Sequence, residues 1–260
     1  MAEIWQIVGI RIYLTGRVGL EVNGQVLINQ TQIRGKQGRL AFAYLVHERT
    51  RTVPKEELAT VIWPDEMSPA WEGALSAITS RIRSMVSIEP LKKEGVSFFR
   101  SSGQYQLDLP ADVWIDLEAG FSAVDRAEAH LRNGSPEQVL GPAGAAACIA
   151  RRPFLPGIDG FWADSLRGKL QRQLLRALDC LSESQRLVGE PMVAVETGTE
   201  AVKLDNLRER GYQLLMQAYS AAGNRAEALN VYHQCREILA AEVGAEPSQE
   251  TQAIYQILLE

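Results

Sequence analysis

Alternating apolar and polar positions open the chain. Apolar residues occupy every second position in residues 10–14 and again in residues 18–22, which is the pattern of strands that bury one face. Asn23-Gly24 follows directly, and Val26 and Ile28 then resume the alternation. Because Asn-Gly favours positive φ at both turn centres, the sequence predicts a tight hairpin here.

A helical period replaces the alternation from about Gly35 onward. The first predicted helix is apolar on most sides, and a second begins near Pro54, which suits a first helical position. Trp63-Pro64 interrupts the pattern, and Ser68-Pro69 restarts it as N-cap and first-turn residue. The third predicted helix buries apolar residues three or four positions apart, namely Leu75, Ile78, Ile82 and Met85. Its opposite stripe is predicted to carry Glu72, Ser76, Thr79, Ser80 and Arg83.

A second hairpin and a series of helices complete the pattern. Alternation around residues 96–100 and 104–109 flanks the small polar tip Ser101-Ser102-Gly103. Beyond Trp114 helices are predicted over residues 116–132, 136–150, 161–188, 191–203, 207–222, 225–241 and 248–259. The residues around Gly223 indicate an antiparallel helical hairpin of about 34 residues. The fold class predicted is therefore an α+β domain followed by an all-α, tetratricopeptide-like repeat domain.

Length and charge divide the chain in the same way. Its 260 residues exceed the usual size of one domain, and we predict domains over residues 1–110 and 111–260. The net charge is −5, yet residues 1–110 hold 13 of the 27 Lys and Arg residues and 11 of the 32 Asp and Glu residues. The two parts thus carry net charges of +2 and −7. Only the first domain is expected to bind an anion, and tight binding there would need well-placed cations or dimerisation.

Several classes of function lack their sequence signature. No window approaches the run of about 20 apolar residues of a membrane helix, and residues 1–5 do not start a signal-type segment, so we expect a cytoplasmic protein without a membrane partner. Cys148, Cys180 and Cys235 lie far apart and are interpreted as buried small side chains, with no metal site. Without a Gly-x-Ser-x-Gly elbow, a His-Glu-x-x-His pair or a phosphate-binding loop, we expect neither an enzyme nor a cofactor.

Motifs in both halves of the chain resemble one family of regulators. The effector domain of OmpR-type winged-helix proteins is similar to residues 34–40 (RGKQGRL), 53–58 (VPKEEL) and 62–65 (IWPD). With Leu75, residues 80–83 (SRIR) and 103–107 (GQYQL) added, the chain resembles the Streptomyces antibiotic regulatory protein family. The bacterial transcriptional activator domain of that family is similar to residues 115–118 (IDLE), Phe121, residues 210–219, 223–229 (GNRAEAL), Tyr232 and residues 242–248 (EVGAEPS).

The resemblance implies a fold and a function. It implies an N-terminal winged helix, and activation of a gene cluster by binding repeated half-sites in double-stranded promoter DNA and contacting RNA polymerase. In the resembled families the loop between the second and third helices touches RNA polymerase, so it implies Asp65, Glu66 and Met67 as contacts. A short acidic connector is the alternative interpretation of this loop. Whether a homodimer assembles on the DNA stays open.

The DNA-reading residues follow from the placement of the third helix and the second hairpin. A recognition helix enters the major groove, where side chains reach base edges and neighbouring groups contact phosphates. We predict base or phosphate contacts for residues of the third helix, namely Glu72, Ser76, Thr79, Ser80, Arg81 and Arg83. The hairpin is predicted to add Arg100, Ser101 and Ser102, and the starts of the first two helices to add Lys36, Arg39 and Lys55. A merely solvated surface is the alternative for each group.

A second function remains open at this level. The acidic second half and the small basic excess of the first half also suit a protein-interaction scaffold, in which the helical repeats bind a peptide and the winged domain docks protein rather than DNA. A DNA-binding test separates this scaffold from the activator.

Overall fold

The computed structural model describes residues 9–260, so residues 1–5, which bear on the expectation about a leader, lie outside the described residues. The chain forms two compact units. The first unit holds the described residues up to Ala119 together with Arg152–Leu170, and the second holds Gly120–Arg151 and Gln171–Glu260. Among the helices of residues 9–260, none combines the length and the apolar character that crossing a membrane requires.

The longer strands and the helices follow one another in the order that the sequence predicts, and the short elements Val53–Pro54, Glu89–Lys93 and Trp114–Ile115 are additional. The strands are β1 (Ile10–Tyr13), β2 (Gly19–Val22), β3 (Gln25–Ile28), β4 (Val53–Pro54), β5 (Ser97–Ser101), β6 (Gln104–Asp108) and β7 (Trp114–Ile115). The helices are α1 (Gly35–His47), α2 (Lys55–Ile62), α3 (Trp71–Val86), α4 (Glu89–Lys93), α5 (Asp116–Arg132), α6 (Leu140–Ala150), α7 (Phe161–Leu187), α8 (Pro191–Leu204), α9 (Glu209–Ala221), α10 (Arg225–Val243) and α11 (Gln249–Leu259). A 3₁₀ turn at Pro136–Gln138 precedes α6.

A four-stranded sheet in the order β3-β2-β1-β7 opens the first unit. Neighbouring strands β1, β2 and β3 pair antiparallel, whereas β7 lies parallel to β1. The turn between β2 and β3 has φ of 51° at Asn23 and 79° at Gly24, as the Asn-Gly pair predicts. The predicted hairpin is thus confirmed. Strand β7, which lies more than eighty residues after β3 in sequence, forms the edge of the sheet beside β1.

Three helices and a small sheet make up the winged-helix part of this unit. Helix α1 is buried continuously from residue 40 to residue 46, which agrees with its apolar pattern on most sides. A sheet in the order β4-β6-β5 places β4 directly before α2 and the β5–β6 hairpin after α3. The short helix α4 was not predicted, because five residues are too few to show a helical period, although Pro90 suits a helix start.

A buried carboxylate joins the first sheet to the start of α5. Asp116 is fully buried, and both its oxygens accept from the backbone N–H of Leu14 at 3.0 Å. The Thr15 backbone N–H donates to it at 2.9 Å and the Thr15 hydroxyl at 2.7 Å. Burial raises the pKa of Asp116, while these donors favour its charged form.

Residues 152–170 pack within the first unit although they lie beyond α6 in sequence. Phe154 bridges to Thr15, and Pro153 accepts a backbone hydrogen bond from Gly16 at 2.8 Å. The Arg167 guanidinium donates to the carbonyl oxygens of Phe154, Leu155 and Ile158, which fixes the loop before α7. The sequence predicts one domain boundary, between residues 110 and 111. In the structure each compact unit is instead built from two separate stretches of the chain.

Helices α8 to α11 supply the repeat core of the second unit. Small and aromatic residues meet between α9 and α10, around Tyr212, Leu215, Ala228 and Tyr232. Gly223 turns the chain between these helices with φ of 75°, a conformation that favours glycine. The predicted tetratricopeptide-like hairpin is confirmed. Cys180 and Cys235 are buried as expected, but the expectation for Cys148 is wrong, because its position on α6 faces solvent.

Candidate nucleic-acid interface

Helix α3 presents a row of small exposed residues opposite its buried side. Helical spacing aligns Gly73, Ala77, Ser80 and Ser84 in this row, and all four are exposed. Arg83 is exposed on one flank of the row and Arg81 on the other. Because small side chains extend little from the helix axis, the backbone of α3 can approach a groove closely while longer side chains on the flanks reach outward.

The prediction that Thr79 belongs to the exposed stripe is wrong. Thr79 has 0% exposure, and its hydroxyl donates to the carbonyl oxygen of Leu75 at 2.9 Å. Thr79 lies four positions after Leu75 and three before Ile82, so it shares their buried row. Thr79 therefore cannot reach a base edge in this conformation. Ser76, also predicted there, is half-buried and marks the edge of the stripe.

The β5–β6 hairpin lies beside α3. The Arg100 guanidinium donates to the Ser76 hydroxyl at 3.3 Å and stands 5.7 Å from the ring centre of Tyr105. Ser101 and Ser102 at the tip are exposed, and Ser102 takes a φ of 50°. The structure thus brings the predicted hairpin residues next to the third helix, as in a wing that flanks a recognition helix.

Lys55 and Glu72 contact each other in the described structure. Lys55 Nζ lies 2.5 Å from Glu72 Oε1 and 5.6 Å from the ring centre of Trp71. The hydrogen bond to Glu72 raises the pKa of Lys55 above its ordinary value. Both residues were predicted to contact DNA, and their pairing places a neutralised acid at the start of α3 beside the hairpin.

The start of α1 contributes a second basic group. Arg34 and Lys36 are exposed there, and Arg39 one turn later is half-buried. No side chain caps the helix, so its first backbone N–H groups have no side-chain acceptor at the N-cap. Gly35 has a φ of 76°, which explains a glycine at this position. Arg34 was not predicted to contact DNA, although its position directly before the helix could have indicated such a role.

Basic side chains therefore lie on both sides of α3. Lys55 and Arg100 lie on the side of Glu72, whereas Arg34 and Lys36 line a cleft together with Arg81 on the other side. Glu72 and Arg81 point in opposite directions from the helix axis by their spacing. Such a distribution suits a helix between two phosphate backbones.

The loop between α2 and α3 exposes the three residues implied as polymerase contacts. Asp65, Glu66 and Met67 are all exposed, and the Met67 side chain is among the large apolar ones that face solvent. Helix α2 ends at Ile62, because Pro64 cannot continue the helix, and the N–H of the C-cap residue Trp63 donates to the Ala59 carbonyl oxygen. The loop thus offers two carboxylates and an apolar side chain next to the start of α3.

The sequence profile of the bacterial transcriptional activator domain matches residues 115–259. The chain belongs to this family. Two curated relatives of this family member are the regulatory proteins AfsR of Streptomyces griseus and of Streptomyces coelicolor, each 28% identical over 86% of the chain. The chain spans about a fifth of the length of these relatives, since the matched part is 22% of each. The resemblance to Streptomyces antibiotic regulatory protein activators is thereby confirmed.

The fold of nearly the whole chain resembles that of a solved structure. The structure titled "Mycobacterium tuberculosis EmbR in complex with low affinity phosphopeptide" is 19% identical and has a TM-score of 0.83. The match covers 96% of this chain and 65% of that one. At this identity the likeness concerns the fold, and it confirms a winged helix followed by a tetratricopeptide-like helical domain.

Proposed function

We propose that this chain is a sequence-specific DNA-binding activator that reads repeated half-sites with α3 and the β5–β6 hairpin and recruits RNA polymerase. The observation that carries the proposal is the exposed row of α3, flanked by Arg83 on one side and Arg81 on the other, with Arg100 of the hairpin bonded to the same helix. The match to a family of transcriptional activators supports it.

The dimensions and side chains of α3 fit this role. A B-DNA major groove is about 12 Å wide and admits one helix. The row of small residues lets α3 sit deep in the groove, where Arg83 reaches a guanine edge or a phosphate. The basic residues on both sides of α3 then neutralise phosphates of the two strands, and this contribution does not depend on sequence.

The charge of the chain points to cooperative binding. Net charge is −5 over the chain and +2 over residues 1–110, so few phosphates are neutralised by one copy. Two copies on adjacent half-sites double the number of contacts without a more basic surface. The proposal therefore includes a homodimer that assembles on repeated DNA sites.

Recruitment of RNA polymerase is assigned to the loop between α2 and α3. Its residues Asp65, Glu66 and Met67 are exposed and precede the recognition helix by only a few positions. With α3 in the groove, the loop stays at the rim of the DNA and accessible to a neighbouring protein. The regulator acts in this scheme in the cytoplasm and without catalysis.

Selection of genomic DNA fragments by the purified full chain tests the proposal and gives the half-site spacing. On the selected site, Arg83→Ala should weaken binding about 5- to 150-fold, since one specific contact is worth about 1–3 kcal/mol. The matched control is Arg225→Ala, which removes an exposed arginine from α10 in the second unit and should leave affinity unchanged.

Two results would contradict the assignment. Equal affinity of the parent and the Arg83 variant at several salt concentrations would remove α3 from the interface. Failure to retard any genomic fragment, together with peptide capture that depends on residues 111–260, would favour the scaffold function instead.

A further inference from the structure

A cleft of about 870 Å³ opens beside the recognition helix. Its walls are the start of α1, the loop after α2, the Arg81 side of α3, and residues 157–164. All these residues belong to the first compact unit. Small-molecule sites in proteins have volumes of roughly 300–1,000 Å³, so the cleft is large enough for a small organic ligand.

Apolar side chains form one part of the cleft. Leu40, Ile62, Ile78 and Ile158 are buried residues that line it. Phe161 also lines it and is 87% exposed, the largest exposed fraction among the large apolar side chains of residues 9–260. An apolar ligand body would cover Phe161, and removal of this surface from water would favour binding.

Cations form the other part. Arg34, Lys36 and Arg81 line the cleft, and across residues 9–260 none of these three has a carboxylate within ion-pair distance. Lys36 extends from the start of α1 toward residues 157–164 on the other side of the cleft. Its Nζ lies 3.8 Å from the position that a Cβ on Gly157 would take.

Carboxylates in the cleft offset only part of this charge. Asp164 pairs with Arg167 at 2.5 Å, whereas Asp65 and Asp159 also line the cleft without an ion pair among the described residues. Three cations thus face two uncommitted carboxylates. The uncapped start of α1 adds backbone N–H donors on the side of the cations.

We infer that this cleft binds a small amphipathic anion, with a carboxylate, sulfonate or phosphate group on Arg34, Lys36 and Arg81 and an apolar body on Ile78, Ile158 and Phe161. Ile78 and Arg81 are residues of α3, so a bound ligand contacts the helix proposed to read DNA. Binding itself is independent of the proposed function, and only its effect on DNA binding rests on that function.

The fluorescent aryl sulfonate 8-anilinonaphthalene-1-sulfonate is a suitable probe, because it joins one anionic group to an apolar ring system. Titration of the folded full chain without DNA should show saturable binding. Lys36→Gln and Arg81→Gln should each weaken it about threefold, the scale of one exposed charge pair. Lys93→Gln, which removes an exposed cation of α4 outside the cleft, should leave it unchanged, and Asp159→Asn should tighten it.

Isoleucine methyl spectra place the probe independently of the variants. Ile62, Ile78 and Ile158 should shift on titration, whereas Ile254 and Ile257 of the second unit should not. Equal probe affinity in all four variants, or shifts confined to the second unit, would overturn the inference. Addition of selected duplex DNA then tests the coupling, and a chain that binds the probe but no DNA would refute the proposed function alone.

Discussion

Trp162 connects the segment of residues 152–170 to the interior of the winged-helix unit. Its ring packs edge-to-face on three others, with centroid distances of 5.1 Å to Tyr44, 5.9 Å to His47 and 5.7 Å to Phe154. Tyr44 and His47 belong to α1, the most deeply buried helix of that unit. We therefore expect Trp162→Ala to destabilise the first unit, although the residue lies within the region that matches the activator domain.

The expected magnitude follows from these contacts. Truncation of a core Trp or Phe to Ala costs about 3–5 kcal/mol, and each aromatic pair adds about 0.5–1.5 kcal/mol beyond area burial. Trp162 is half-buried, so part of its surface already faces water. The free energy of unfolding of the first unit should therefore fall by about 2–4 kcal/mol.

Hydrogen exchange of backbone amides under increasing urea measures this loss for each unit separately. Amides of β1 and α1 should exchange faster in the variant, whereas those of α9 and α10 should keep their protection. Phe161→Ala is the matched control, because the adjacent side chain is 87% exposed and should change stability by about 0.5 kcal/mol or less. Unchanged protection of α1 in the Trp162 variant would refute the reasoning.

Two further variants test buried and half-buried carboxylates. Asp116→Ala leaves buried donors of Thr15 without an acceptor, and urea unfolding should show a loss of about 3–5 kcal/mol; a loss no larger than that of exposed Asp112→Ala would contradict this. Glu57 accepts two hydrogen bonds from Arg51, at 2.6 and 3.0 Å, which lower its pKa. Glu57→Gln should cost about 1 kcal/mol at pH 7. Because the pKa is lower in the folded state, this difference should hold above the ordinary value of 4.5 and disappear as pH falls through the lowered folded-state pKa. A difference that persists at pH 2 would exclude the ion pair as its cause.

Local periodicity explains which features the sequence predicts well. The helix predicted over residues 116–132 forms over Asp116–Arg132, and the Asn23-Gly24 turn adopts the expected positive φ angles. Both depend on interactions between residues close in sequence. Thr79 shows the limit of the method, because a polar side chain whose hydroxyl bonds the preceding turn of its own helix is indistinguishable in sequence from one that faces solvent.

Features that depend on distant contacts could not be predicted. The sequence gives no sign that residues 157–164 form a wall opposite the start of α1, because nothing in a helical or strand period encodes which surfaces meet. Likewise, the ion pair between Lys55 and Glu72 could not be predicted from the sequence, since the two residues lie on different helices whose relative placement is not encoded locally. Individual candidate residues could therefore be predicted from the sequence, but the residues that they contact could not.

The Lys55–Glu72 pair also bears on how an acidic residue can belong to a DNA interface. A free carboxylate at the start of α3 would repel phosphates, and its contact with Lys55 removes most of that repulsion. The pair is largely exposed and screened by solvent, so a phosphate can replace Glu72 as the partner of Lys55. In the complex that we propose, approach of DNA exchanges the Lys55–Glu72 ion pair for a Lys55–phosphate pair. In the proposed complex Glu72 then accepts from a cytosine amino group in place of Lys55, so its carboxylate stays paired.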